Sequence, residues 1–327
     1  MVLLFSLTLL AMVAQAQSPR FVIDDDEYAD NVVRSSKKLL EGHKLVATEA
    51  LRREVRLKGC AVKLAPCAHQ KLSPPELYER LRESTLAVGS FYKCPDCGGW
   101  HFNASAGFVV GEGGIVSTCC HVVLPEDEDV KESYLVAADA AGHVFPVRSV
   151  VAADLDSDTC FVKIDAALKA LPLRSDVRVG ETVFCLSHPG GYYFMFTQGM
   201  VSRLNSRRDQ CVDERGQTNG LLTRPVLFLN VTAEFAPGSS GAPIIDEDGN
   251  VVGQVSSIAD AGEGDPGDEN TPASPSVPVR FCTASEEILR LTDLELEQGP
   301  GTQHPKPRPI KTHAARRHPP REMTNHQ

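Results

Sequence analysis

A chain of 327 residues can hold one substantial core, of the size of two small barrels, plus extensions. Its formal net charge of −10 argues against a general nucleic-acid binder. Beyond the first residues no stretch is long and apolar enough for a transmembrane helix, so no integral membrane segment is expected in the mature chain.

Residues 2–13 form an apolar run too short to span a bilayer, followed by Ala14-Gln15-Ala16, a small-x-small cleavage pattern. Residues 1–16 therefore read as a secretory signal peptide cleaved after Ala16, although no Lys or Arg precedes the run. The mature protein is expected to be exported, either secreted or periplasmic.

Residues 17–83 read as a helical extension. Asp24-Asp25-Asp26-Glu27 opens a charged stretch that Arg52, Arg53, Arg56 and Lys58 close, an order that suits the helix dipole. Val32, Val33, Leu39, Leu40, Val46, Leu51 and Val55 recur only loosely at helical spacing, which predicts one or two helices packed outside the main core. A homo-oligomer, if one forms, would pair through this region. Ser73-Pro74-Pro75-Glu76 is a capped helix start, with Leu77 and Leu81 on one face.

The ten cysteines of an exported chain suggest disulfides, but their contexts divide them. Cys120, Cys160 and Cys185 sit in apolar strand-like runs and read as small buried hydrophobes. Cys60, Cys67, Cys94 and Cys97 lie in polar, turn-rich surroundings, and two disulfides or one four-cysteine zinc site would suit them. Cys94-Pro-Asp-Cys97-Gly-Gly has the form of a zinc knuckle, whereas Cys60 and Cys67 are too far apart to make a second one. No metal site is predicted on this pattern alone.

From about Ser84 short β-like runs alternate with Gly, Asp and Asn turns. They cover residues 86–92, 106–110, 114–117, 133–137, 147–151, 161–164, 182–186, 199–204, 226–231, 242–245, 251–257 and 277–282. Such a series with few helices predicts an all-β sandwich or barrel pair, closed by a helix over 285–291. The acidic, Pro-rich stretch 262–276 lacks calcium-ligand spacing and reads as a solvated loop. Residues 293–327, rich in Pro, His and basic residues from about Gln298, read as a disordered tail.

The chemistry centres on Gly238-Ser239-Ser240-Gly241-Ala242-Pro243. A serine hydroxyl becomes a nucleophile only when a base takes its proton and donors stabilise the oxyanion it creates. Glycines beside Ser240 let the backbone turn so that the N–H groups of Gly238 and Ser240 can face one substrate oxygen. The candidate base is His121, which ends a strand-like run, and histidine's ordinary pKa near neutrality suits the task. The candidate orienting carboxylate is Asp158, directly before the alternating run Thr159-Cys160-Phe161-Val162-Lys163-Ile164. Asp154 and Asp156 read as turn residues.

The order His, Asp, Ser over two groups of strands carries a resemblance. Ser105-Ala106-Gly107-Phe108, residues 117–123, 158–164 and 180–183, His188-Pro189-Gly190, residues 198–202, 236–243 and 248–253 together resemble a trypsin-like serine peptidase of the chymotrypsin fold. The resemblance is closest to the bacterial HtrA/Deg branch and places the peptidase domain at 84–292. It implies two six-stranded antiparallel β-barrels, with His121 and Asp158 on the first and Ser240 on the second. It further implies an acyl-enzyme, an oxyanion hole of Gly238 and Ser240, polypeptide substrates and no cofactor. Ser256 would lie beside the triad, and Glu234 and Phe235 would approach the primary specificity pocket. Phe235 would then shorten the pocket in favour of small aliphatic side chains, while an inward Glu234 would favour Lys or Arg.

Three departures stand out. Ser239 occupies the position where digestive relatives carry an acid that binds a freed N-terminus. Cys119-Cys120 replaces a pair of small residues, and Ala242 replaces a glycine. The residues after Leu291 are too few and too polar for a PDZ domain. The alternative to an endopeptidase is a catalytically silent binding module on the same fold.

Overall fold

The computed structural model describes residues 20–56, 59–124, 129–207, 222–261 and 277–297. The predicted signal peptide, the acidic stretch 262–276 and the tail from 298 onward lie outside the described residues.

The order of elements is α1 Asp25–Glu41, α2 Thr48–Arg52, α3 Pro74–Arg82, β1 Thr85–Lys93, β2 Trp100–Gly111, β3 Ile115–Thr118, α4 Cys120–Val123, β4 Ser133–Ala138, β5 Val144–Asp154 and β6 Thr159–Ile164. There follow β7 Thr182–Ser187, β8 Met195–Arg207, β9 Val226–Val231, β10 Pro243–Ile245, β11 Val251–Ala261, β12 Val277–Ala284 and α5 Ser285–Glu297. β1 to β6 close one antiparallel barrel in the order β1-β2-β3-β6-β5-β4, and β7 to β12 close a second in the order β10-β11-β12-β9-β8-β7. Closure leaves neither sheet a free edge to pair with other chains.

Alternating side chains fill each barrel. Val88, Val109, Val116, Leu135, Val162 and Ile164 pack inside the first, and Val183, Val201, Leu229, Ile244, Val252 and Val255 inside the second. Cys120 and Cys160 belong to the first interior and Cys185 to the second, as their apolar contexts predict. A further apolar cluster joins the two barrels, with Phe91, Phe108 and Phe161 from one and Phe184 and Ile245 from the other.

The extension braces this seam. Tyr28 and Val32 of α1 and Leu77 and Leu81 of α3 are buried in that cluster. The Tyr28 hydroxyl donates to the Asp139 carbonyl at 2.9 Å, and the Asp25 carboxylate accepts the Tyr193 N–H at 2.9 Å. One helix thus touches a loop of each barrel. α3 starts at a capping box in which Glu76 accepts both the Ser73 N–H and the Ser73 hydroxyl.

Among the boundaries that differ from expectation, two differ by six residues. α5 runs to Glu297 rather than Leu291, because Thr292-Asp293-Leu294-Glu295-Leu296-Glu297 contains good helix formers and no breaker. Residues 293–297 therefore belong to the helix and not to a disordered tail. β2 begins at Trp100, six residues before the predicted run, since it pairs with all of β1 from Thr85↔Phe108 to Lys93↔Trp100.

Candidate active site

His121 does not end a strand. β3 stops at Thr118 and His121 lies in α4, a single turn. The turn is fastened at its base, where the Cys120 N–H donates to the Asp158 carbonyl at 3.3 Å. Asp158 sits in the turn before β6 with φ of +51°, a left-handed conformation that a non-glycine residue adopts at a cost. That turn delivers both carboxylate oxygens to one partner. Oδ1 accepts the His121 backbone N–H at 3.1 Å, and Oδ2 lies 2.7 Å from the imidazole Nδ1. The Ser256 hydroxyl approaches the same Oδ2 at 3.5 Å. A buried carboxylate so placed fixes the imidazole tautomer and leaves Nε2 to face the cleft.

Ser240 comes from the second barrel. Its carbonyl accepts the Ala106 N–H at 2.8 Å, the Gly241 N–H donates to Val255 at 2.8 Å, and the Ser239 N–H closes a turn onto Ala236 at 3.0 Å. Gly238 has φ of +94°, and a Cβ there would meet the His188 carbonyl at 2.5 Å, so the turn admits only glycine. Ser239 is buried, and its hydroxyl donates to Ser187 at 3.1 Å rather than holding a charge. His121 and Ser240 line one cavity of about 780 Å³ together with Gly238, Ser90, Asn103 and Gly190. The structure thus brings His121, Ser240 and Gly238 to one crevice between the barrels, with Asp158 held against His121 and Ser256 near the same carboxylate.

Glu234 and Phe235 are placed differently from one another. Glu234 is exposed and contributes only its carbonyl, which accepts the Thr197 hydroxyl at 2.8 Å. Phe235 is buried in the second-barrel interior, and the guanidinium of Arg280 lies 5.9 Å from its ring. Neither residue lines the 780 Å³ cavity, which opens towards β1, β2 and the turn 189–191 instead.

The four polar-context cysteines do not form one group. Cys94 and Cys97 lie at the β1–β2 turn beside His101, while the Cys67 thiol donates to the Leu173 carbonyl at 3.1 Å. Cys60, Cys67, Cys94 and Cys97 are all free thiols, so neither the two disulfides nor the four-cysteine site is formed. The physical reason is the chain path: the Cys60 N–H is bonded to α5 at Leu291, away from the hairpin turn.

Two residues to which the sequence reading gave no role hold the site together. Gln254 is fully buried where the barrels meet; it accepts from the Ser117 hydroxyl at 2.6 Å and donates to the Thr118 carbonyl at 3.1 Å. Its signal was a lone amide inside the apolar run Val251-Val252-Gly253-Gln254-Val255. Cys119 lies within 4.8 Å of the His121 and Asp158 ligand atoms, a set that would also suit a metal. Burial, with Asp158 adding to it, pushes that thiol well up from its ordinary pKa, and its Sγ donates to the Val255 carbonyl at 3.2 Å. Cys119 therefore serves as a neutral donor behind the dyad and not as a thiolate ligand.

Residues 105–253 match the family described as the trypsin-like peptidase domain. This segment is a trypsin-like peptidase domain. The chain is also similar to a "probable periplasmic serine endoprotease DegP-like" of Halomonas elongata, 30% identical over 156 residues, which are 47% of this chain and 29% of that protein. It is similar to the "serine protease PepD" of Mycobacterium tuberculosis, 29% identical over 155 residues, or 46% and 32% of the two chains. The "putative protease Do-like 14" of Arabidopsis thaliana matches at 29% identity over 155 residues, 45% and 34% of the two chains. The chain spans about a third of the length of these relatives. The matched segment of the peptidase domain contains His121, Asp158 and Ser240. Among the described residues no helix is long and apolar enough to cross a membrane.

Proposed function

We propose that this chain is an exported serine endopeptidase of the HtrA/Deg type. The observation that carries the reading is the 2.7 Å contact between His121 and Asp158 in the crevice that Ser240 shares. His121 takes the Ser240 proton as the hydroxyl attacks a peptide carbonyl, and Asp158 stabilises the resulting imidazolium. The N–H groups of Gly238 and Ser240 stabilise the tetrahedral oxyanion. The proton then passes to the leaving amine, and water hydrolyses the acyl-enzyme by the reverse use of the same base. Export is supported by the pattern of residues 1–16 and by the periplasmic name of the Halomonas relative.

The primary pocket of this peptidase takes small aliphatic side chains. The reading rests on Phe235, which is apolar and buried, and on Glu234, which is exposed and offers no inward charge for Lys or Arg. Digestion of a peptide library tests both parts of the reading. Cleavage should follow small aliphatic residues and fall by a factor on the order of 10⁵–10⁶ in Ser240→Ala. Cleavage that persists in Ser240→Ala would overturn the mechanism, and cleavage after Lys or Arg would overturn the pocket.

A further inference from the structure

The β1–β2 turn places Cys94, Cys97 and His101 together, with their ligand atoms all within 4.8 Å of one another. Register makes the group. Lys93↔Trp100 is the last pair of the ladder, so Cys94 leaves β1 just as His101, next along β2, pairs back with Tyr92. The turn between is tight: the Cys94 N–H donates to the Gly99 carbonyl at 2.8 Å and the Gly98 N–H to the Cys94 carbonyl at 3.0 Å. Backbone N–H groups then aim at sulfur. The Gly99 N–H donates to the Cys97 Sγ at 3.4 Å, and that Sγ lies 3.1 Å from the His101 Nε2. A Cβ on Gly99 would approach both the Cys97 Sγ and the His101 Nε2, at 3.3 and 3.4 Å, which is why the backbone can fold so closely under the pair.

We propose that Cys94, Cys97 and His101 form a zinc site at the tip of the β1–β2 hairpin, with its fourth position open to solvent. Two sulfurs and an imidazole are a borderline-soft donor set that selects Zn²⁺ over Mg²⁺ or Ca²⁺. Tetrahedral zinc at ordinary bond lengths separates its ligand atoms by roughly 3.5–3.8 Å. The present group therefore needs no backbone rearrangement to close on the ion. Cys97 and His101 are exposed, so the ion has a path in from solvent.

The site bears on the cleft through the hairpin. Tyr92 and Phe102, which flank the ligands on β1 and β2, line the same cavity as His121 and Ser240. Trp100 stacks on Phe91 with ring centroids 4.4 Å apart, which ties the tip to the apolar cluster that joins the two barrels. A metal at the tip holds this wall of the cleft without touching the reacting atoms. It is a structural site, and its occupancy can be read whether or not the peptidase reading holds.

The test uses the full chain, equilibrated with Zn²⁺, freed of loose metal and assayed by elemental mass spectrometry. Wild type, Cys60→Ser and Cys67→Ser should each retain one equivalent of zinc. Cys94→Ser and Cys97→Ser should lose it, a larger effect than the ~10–100-fold loss of affinity that removing a supporting partner gives. His101→Ala should weaken binding in the same sense. Loading with Co²⁺ should give a thiolate-to-cobalt charge-transfer band in wild type and none in Cys94→Ser. Thermal melts of the variants above the temperature of the assay show that they remain folded. Absence of stoichiometric zinc in wild type, retention of zinc in both Cys94→Ser and Cys97→Ser, or an intact mass showing a Cys94–Cys97 disulfide would each overturn the proposal.

Discussion

His188 gives the protein a specific sensitivity to acid. The residue is fully buried, with its Nδ1 accepting the Phe194 N–H at 3.0 Å and its ring 4.7 Å from that of Phe194. Burial pushes its pKa down from 6.5 to about 4, against a small opposing contribution from the Leu86 backbone. The unfolded chain binds a proton at this residue below about pH 6.5, while the folded chain resists it until about pH 4. The stability that neutral His188 permits is therefore present above pH 6.5 and is lost progressively as pH falls towards 4. At 1.36 kcal/mol per pKa unit, the loss between pH 7 and 5 is about 2 kcal/mol. Other groups titrate in the same range, so the comparison needs a variant. His188→Asn keeps an acceptor for the Phe194 N–H and removes the titration. Urea unfolding followed by fluorescence of Trp100, the only tryptophan, gives the free energy at each pH. Wild type should lose about 2 kcal/mol more than His188→Asn between pH 7 and 5. An equal loss in both proteins would refute the burial of a neutral imidazole.

The remaining predictions concern the crevice and the ion pairs beneath it. Gly238→Ala must move the turn away from the His188 carbonyl and misaim one oxyanion donor. Turnover should fall by ~10²–10³ while the fold persists, and unchanged turnover would remove Gly238 from the oxyanion hole. Arg224 pairs with Asp154 and, at 2.7 Å, with Glu287, and all three side chains are largely buried. Arg224→Ala leaves two carboxylates uncompensated and should cost about 3 kcal/mol in urea unfolding. A loss under about 1 kcal/mol would mean that the pairs carry little net stability.

The barrels were legible because their strands follow the simplest pattern in a sequence. Each predicted run has its counterpart among β1 to β12, and the small or apolar cysteines Cys120, Cys160 and Cys185 fall where a core position was expected. Of the two residues written as turns, Asp156 does lie in one, whereas Asp154 is the last residue of β5 and pairs with Thr159, its Oδ1 accepting the Asp156 N–H at 3.1 Å. What escaped the sequence depends on pairing register and chain path. Cys120-His121-Val122-Val123 has the composition of a strand and becomes a helical turn because the Asp158 carbonyl and carboxylate hold it. Cys97 and His101 are neighbours only because β1 and β2 pair to the end of their ladder. Cys60 and Cys67 have the same polar context as Cys94 and Cys97, yet the path of the extension carries them elsewhere. Glu234 and Phe235 are adjacent in the chain, and only the fold tells which one is buried.

A single labelling experiment bears most directly on the whole account. A fluorophosphonate reacts with a serine only where a base has activated it and an oxyanion site receives the adduct. Treatment of the full chain followed by peptide mapping should find one modified residue, Ser240, with labelling abolished in Ser240→Ala and suppressed in His121→Ala. A folded protein that takes up no label, or takes it up at another serine, would contradict the account.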